Sequence, residues 1–233
     1  MKLPELTAGR LLRRYKRFLA DIELEDGRQI TVHTPNTGSM TQCAVAGSKV
    51  LFSQSSNEKR KYPCTLELIE VAGSWVDINT QRSNKVVGEA LISGAIEGLA
   101  GYQVLSEKKL VASRIDFLLE PEEDSQQQRV WLEVKNVTLM GSSVCACFPD
   151  AVTERGRRHL QELILARQQG DRAVIFFLIQ RAEAKLFSPA VDIDPAYAQQ
   201  LRDALVAGVE VYAGQSATTP DSTQIVRRLP VVV

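Results

Sequence analysis

The stretch RVWLEVKN, residues 129–136, decides how the second half of the chain is read. Val130, Leu132 and Val134 alternate with Trp131, Glu133 and Lys135. That is the period of a β-strand, whose successive side chains point to opposite faces of a sheet. One face is therefore wholly aliphatic. The other carries an aromatic ring, then an acid and a base two residues apart, just as the strand ends. Burying charge costs desolvation energy, so the pair needs a chemical or electrostatic reason.

Working outward, Asp116 lies in SRIDFLLE, with Glu133 and Lys135 seventeen and nineteen positions later. The intervening EPEEDSQQQ is acidic and Gln-rich, as expected of a solvated loop tip. An antiparallel hairpin across it brings Asp116 close to Glu133. Two such carboxylates repel unless something neutralises them, and a divalent cation, Mg²⁺ or Mn²⁺, does this well. Lys135 then supplies a fixed positive charge that holds or activates a water and stabilises developing negative charge. Asp116 and Glu133 are thus the candidate metal ligands. Asp116, Glu133 and Lys135 are the candidate catalytic set, with Glu89 on a preceding helix as a third acid. An acid on a helix, Asp on a strand and Glu-x-Lys on the next strand is the layout of the PD-(D/E)xK nuclease core, although Arg114-Ile115 replaces the usual proline before the Asp. Cross-strand ion pairs on a half-exposed sheet would produce the same pattern.

The rest of the chain supplies the frame. RFLADIELEDGRQITVHT reads as a hairpin about Asp26-Gly27, with Ala20, Ile22, Ile30 and Val32 on its apolar face. KVLFSQ, CTLELIEVA and SWVDINT add three strands. Five short strands in about 80 residues suggest a small barrel of the oligonucleotide-binding (OB) type. After about residue 81 helices and strands alternate, which indicates a mixed α/β domain. SNKVVGEALISGAIEGLA has helical spacing, and DAVTERGRRHLQELILARQQG has Asp150 as N-cap and Gly170 at its C-terminal end. RAVIFFLIQ reads as a strand covered on both faces, and PAYAQQLRDALVAG reads as a helix leading into VEVYAG. The fold class is α/β (α+β), with an OB-like barrel over residues 1–81 and a nuclease-like domain over 82–233.

Charge must be read by position, because 28 basic residues balance 28 acidic ones. RLLRRYKR gathers Arg13, Arg14, Lys16 and Arg17 around Tyr15. Lys59, Arg60 and Lys61 adjoin Tyr62, and Arg82 follows. On a barrel these groups would form a groove for backbone phosphates, with tyrosines to stack on; a solvated basic rim is the plainer alternative. HTPNTGSM, residues 33–40, offers backbone amides to an anion, though turn chemistry explains it as well. His33 and His159 read as surface or capping residues, and Cys145 and Cys147 as packing residues.

Other classes are disfavoured. No Gly-rich phosphate loop is visible. With 6% aromatic residues and no evident Trp/Asn/Asp cluster, a sugar-binding pocket ranks last. The N-terminus lacks the apolar core of a secretory signal, no segment has the length of a membrane-spanning helix, and four cysteines fit a reducing compartment, so a cytoplasmic location is expected. An uncovered barrel edge would offer a pairing surface for a homodimer.

RYKRFLADIEL, PNTGSM, KRKYPCTLELIE, INTQRSN, SRIDFLLE, LEVKNVTL, FPDAVTERGRRHL, FFLIQR and FSPAVDIDPAYA together resemble the sugar fermentation stimulation protein family of bacteria. The resemblance runs through nearly the whole chain. It implies an OB-like domain joined to a nuclease-like domain, non-specific DNA binding, and a regulatory role in carbohydrate, notably maltose, metabolism. By position, Asp116, Glu133 and Lys135 match the nuclease-like motif, and Glu89 matches its helix acid.

Overall fold

The computed structural model describes residues 1–123 and 125–233. The first unit contains β1 (Thr7–Tyr15), β2 (Leu19–Glu23), β3 (Gln29–His33), β4 (Lys49–Gln54), β5 (Cys64–Val71) and β6 (Ser74–Asp77). They pair in the order β3-β2-β1-β4-β5-β6, and β3 also bridges β5, so the first five strands close into a barrel with β6 added to β5. Leu11, Ile22, Val32, Val50, Leu66 and Ile69 fill its interior.

The Asp26-Gly27 turn joins β2 to β3 as expected, with Gly27 at φ 82°, a conformation other residues rarely adopt. β1 is not among the strands expected from spacing. The basic run RLLRRY is itself a barrel strand, with Leu11 fully buried and a bulge between Leu11 and Arg13. Its arginines are therefore dealt around the strand and do not form one patch.

The second unit contains α1 (Thr80–Ile92), β7 (Tyr102–Leu110), β8 (Ser113–Pro121), β9 (Val130–Val137), β10 (Leu139–Met140), β11 (Cys145–Phe148), α2 (Glu154–Gln168), β12 (Arg172–Ile179), β13 (Leu186–Pro189), α3 (Pro195–Val206), β14 (Glu210–Thr218) and β15 (Thr223–Arg228). Its main sheet runs β15-β14-β12-β9-β8-β7, and β10-β11-β13 forms a small second sheet. β12 lies at the centre, parallel to both β9 and β14, which is why AVIFFLI, residues 173–179, is apolar throughout.

The main sheet has a core on each face. Val130, Leu132 and Val134 of β9 pack with Val87 and Leu91 of α1. Trp131 packs on the opposite face with Leu160 and Leu163 of α2 and Tyr197 of α3. The strand at 129–136 is thus two-faced as its spacing predicts, with one correction. The face bearing Glu133 is buried, not half-exposed.

Helix α2 begins later than expected. Thr153, not Asp150, is its N-cap, accepting a hydrogen bond from the Gly156 amide at 3.0 Å. Asp150 instead faces the barrel, where Ser39 Oγ and the Met40 amide lie 3.3 and 3.4 Å from its Oδ2. A β-carbon at Gly38 would collide with that carboxylate, which accounts for the glycine in PNTGSM. The anion this loop approaches is therefore the chain's own Asp150. A second tie joins the units where Gln42 exchanges two 2.7 Å hydrogen bonds with the Met140 backbone.

Candidate active site in the interdomain cleft

The β8–β9 ladder pairs Leu119 with Val130, Leu118 with Trp131 and Phe117 with Leu132. Beyond it, the Val134 amide donates to Asp116 Oδ2 at 2.8 Å, so a side-chain carboxylate stands where the ladder stops. Asn84 Nδ2, on α1, donates to Asp116 Oδ1 at 2.7 Å. Burial and the charge of Glu133 push the Asp116 carboxyl up to about 6, against the pull of the Val134 amide, Lys135 and Asn84.

Glu133 is 3% exposed. Lys135 Nζ donates to its Oε1 at 2.6 Å. His159 Nδ1, on α2, hydrogen-bonds the same oxygen and lies 3.1 Å from Lys135 Nζ. Arg155 Nε donates to the far ring nitrogen of His159 at 3.4 Å. Burial alone would raise the Glu133 carboxyl, but Lys135 and His159 outweigh it and hold it at about 2. The two neighbouring carboxylates are thus pushed in opposite directions, an arrangement that recurs where two acids have different tasks. Glu133 Oε2 is buried without a hydrogen-bond partner among the described residues. Tyr197 Oη is likewise unpartnered, and burial together with Glu133 and Asp194 pushes that hydroxyl well above its ordinary value.

Above this cluster a cleft of about 600 Å³ separates the barrel from the second unit. Arg14, Arg17 and the 36–39 loop line its barrel side, Ser83, Asn84 and Lys135 line its floor, and the segment from Cys147 to Thr153 lines its far side. Arg14 is held by the carbonyls of Ser39, Arg17, Asn36 and Gly38.

The structure therefore brings together Asp116, Glu133 and Lys135, and Lys135 lines the same cleft as Arg14 and Arg17. Other sequence candidates lie elsewhere. Glu89 is 58% exposed and pairs with the Met1 ammonium at 2.9 Å, so α1 presents Asn84 to Asp116 in place of an acid. Arg82 is 6% exposed and ion-paired to Glu67 and Asp77, which removes it from any phosphate-binding surface. Arg13 pairs with Asp21 at 2.8 Å, and Lys16 is exposed on the turn after β1. Lys59 and Lys61 are exposed on the β4–β5 loop, where Arg60 donates to Thr65 at 3.1 Å; none of the three lines the cleft.

His159 is a correction. It is 2% exposed and touches both members of the Glu-x-Lys pair. The signal was present, because Gly156, His159, Leu160, Leu163 and Ala166 recur at helical spacing on the buried stripe of α2. Cys145 and Cys147 are free thiols with sulfurs 3.7 Å apart.

Among the described residues no group of three or more His, Cys, Asp or Glu side chains is gathered as a ligand set. A small hard cation needs fewer, since Mg²⁺ is commonly held by one or two carboxylates with waters and substrate phosphates. Two adjacent carboxylates, one with a buried and unpartnered oxygen, fit that requirement.

A closed OB barrel joined to a mixed α/β unit that carries an Asp…Glu-x-Lys cluster defines the class of two-domain OB-plus-α/β proteins. The family model "SfsA N-terminal OB domain" matches residues 12–78, and "Sugar fermentation stimulation protein RE domain" matches residues 81–222. The chain belongs to the sugar fermentation stimulation protein family. It is 56% identical over 232 residues to the sugar fermentation stimulation protein homolog of Syntrophotalea carbinolica, covering 99% of each chain. It is 49% identical over 235 residues to that of Pelobacter propionicus, covering 100% of each. Among solved structures it is similar to Pyrococcus furiosus SfsA in complex with Ca²⁺, with a TM-score of 0.90 and 25% identity over 100% of this chain and 98% of that one.

Proposed function

We propose that this chain is a cytoplasmic, non-specific DNA-binding protein that engages backbone phosphates in the interdomain cleft, and that this binding underlies a regulatory role in sugar, notably maltose, metabolism. One observation carries the reading: the cleft gathers Arg14 and Arg17 of the barrel with Lys135 of the Glu-x-Lys strand. Three cations around one concave surface suit a phosphate backbone and predict strong salt dependence. No helix among the described residues is long and apolar enough to cross a membrane.

A second reading, metal-dependent cleavage of phosphodiesters, is favoured by the unpartnered Glu133 Oε2 beside Asp116. Asp116 and Glu133 would hold Mg²⁺ or Mn²⁺, in keeping with the Ca²⁺ complex of the Pyrococcus furiosus relative. Such a cation, when bound, supplies Lewis-acid stabilisation of phosphate charge. Lys135, held by Glu133 and His159, offers a further positive charge to a phosphate or an attacking water.

The test is a gel shift of labelled DNA in EDTA at increasing salt, run beside a cleavage time course in Mn²⁺. Binding that weakens with salt, and with a shallower salt slope in Arg17→Ala, supports the DNA reading; no shift at low salt overturns it. Cutting in Mn²⁺ that is lost in the Glu133→Ala/Lys135→Ala double variant would make the protein a nuclease.

A further inference from the structure

The two walls of the cleft differ in chemistry. The barrel wall is basic and polar, with Arg14, Arg17, Asn36 and Ser39. The opposite wall is the segment Phe148-Pro149-Ala151-Val152, apolar but for Asp150. Phe148 is half-buried, its ring centroid 5.7 Å from that of Phe177 and 5.2 Å from that of Tyr197, so the wall is firmly backed. Val152 is 67% exposed, an apolar side chain offered to whatever occupies the space. Asp150 is turned to the barrel loop, and its charge faces that of Arg14.

We propose that the cleft takes DNA as a single strand, with phosphates toward Arg14, Arg17 and Lys135 and bases laid on the Phe148–Val152 wall. The inference rests on the DNA reading above and adds the form of the ligand. A single strand has a charged edge and flat apolar base faces, and proteins that bind it combine a basic track with apolar or aromatic platforms. A duplex hides its base faces by stacking and would leave the apolar wall without a partner. Size points the same way. A cleft of about 600 Å³ falls within the roughly 300–1,000 Å³ typical of small-ligand sites, room for a nucleotide or two but not for a double helix.

Fluorescence anisotropy with a labelled oligothymidylate and a labelled duplex of the same length, in EDTA, tests it. The single strand is expected to bind at least about tenfold more tightly than the duplex, as one or more base contacts would provide. Val152→Asp, which sets a negative charge on the apolar wall, is expected to weaken single-strand binding about tenfold. Val206→Asp, a control at the far end of α3 where Val206 is 91% exposed, leaves it unchanged. Duplex bound as tightly as single strand, or Val152→Asp indistinguishable from Val206→Asp, overturns the inference while the DNA reading stands. Binding of neither nucleic acid removes both.

Discussion

Two buried clusters of acids and bases are built to different ends. At the junction of barrel and second unit, Arg82 joins Glu67 and Asp77. Each acid is further satisfied: Ser53 Oγ and Asn79 Nδ2 donate to Glu67 at 2.5 and 2.7 Å, and the Asn79 amide donates to Asp77 at 3.0 Å. Beside the cleft, Lys135 and His159 both crowd one oxygen of Glu133 and leave Oε2 without a partner among the described residues. A buried charge network with every oxygen used is a fastening. One with an unused carboxylate oxygen beside a second acid has room for a ligand, because an unsatisfied buried acceptor costs stability that a fold keeps only where something compensates.

The largest expected effect breaks the fastening. Arg82→Ala strands two buried carboxylates and should cost ~3–5 kcal/mol, measured by chemical denaturation. A loss under about 1 kcal/mol would show that the cluster carries little of the junction.

The second effect is a pH dependence. Burial pushes the Asp77 carboxyl from 3.8 up to about 6, over the pull of Arg82 and the Asn79 amide. The folded state therefore holds this proton more tightly than the unfolded chain. The contribution of Asp77 is most favourable below pH 4, declines as pH rises toward 6, and is constant above that. At ~1.4 kcal/mol per pKa unit the span is a few kcal/mol at most. Asp77→Asn should flatten this segment of the stability–pH curve, and an unchanged curve would remove Asp77 as its source.

His159→Gln sharpens the other side of the comparison. Loss of a residue that orients a ligand typically weakens metal affinity about 10–100-fold. Calorimetric titration with Mn²⁺ should show that drop, while chemical denaturation without metal changes less than for Arg82→Ala. Unaltered Mn²⁺ affinity would confine His159 to packing. The smallest effect falls at Arg13, whose pair with Asp21 is exposed on the arginine side. Arg13→Ala should leave stability nearly unchanged in chemical denaturation; a clear loss would mean that the pair braces the barrel.

Read from spacing alone, much of the frame was legible. The β2–β3 hairpin, the two-faced strand at 129–136, the apolar run of β12 and the helix at 195–206 follow from period and turn chemistry, which are local. Asp116, Glu133 and Lys135 were legible because neighbouring strands joined by a short loop bring their residues together without help from distant segments. Arg82 misled because the sequence records only that a basic residue follows the Lys59–Lys61 run, and does not show which carboxylates wait inside. Glu89 misled in a similar way: it lies on the expected helix, but over a turn beyond Asn84 and on an exposed position.

By itself the sequence determined the two-domain plan, the strand periods and the acid–base pair at the end of β9, since these depend on side-chain alternation and on residues close along the chain. Only the tertiary structure decided that His159 closes on Glu133, that Asp150 leaves its helix for the barrel loop, and that Arg14 faces Lys135 across a cleft. Those contacts join segments 26, 111 or more residues apart. Their partners are chosen by packing and by desolvation of the charges they bury, which no local pattern records.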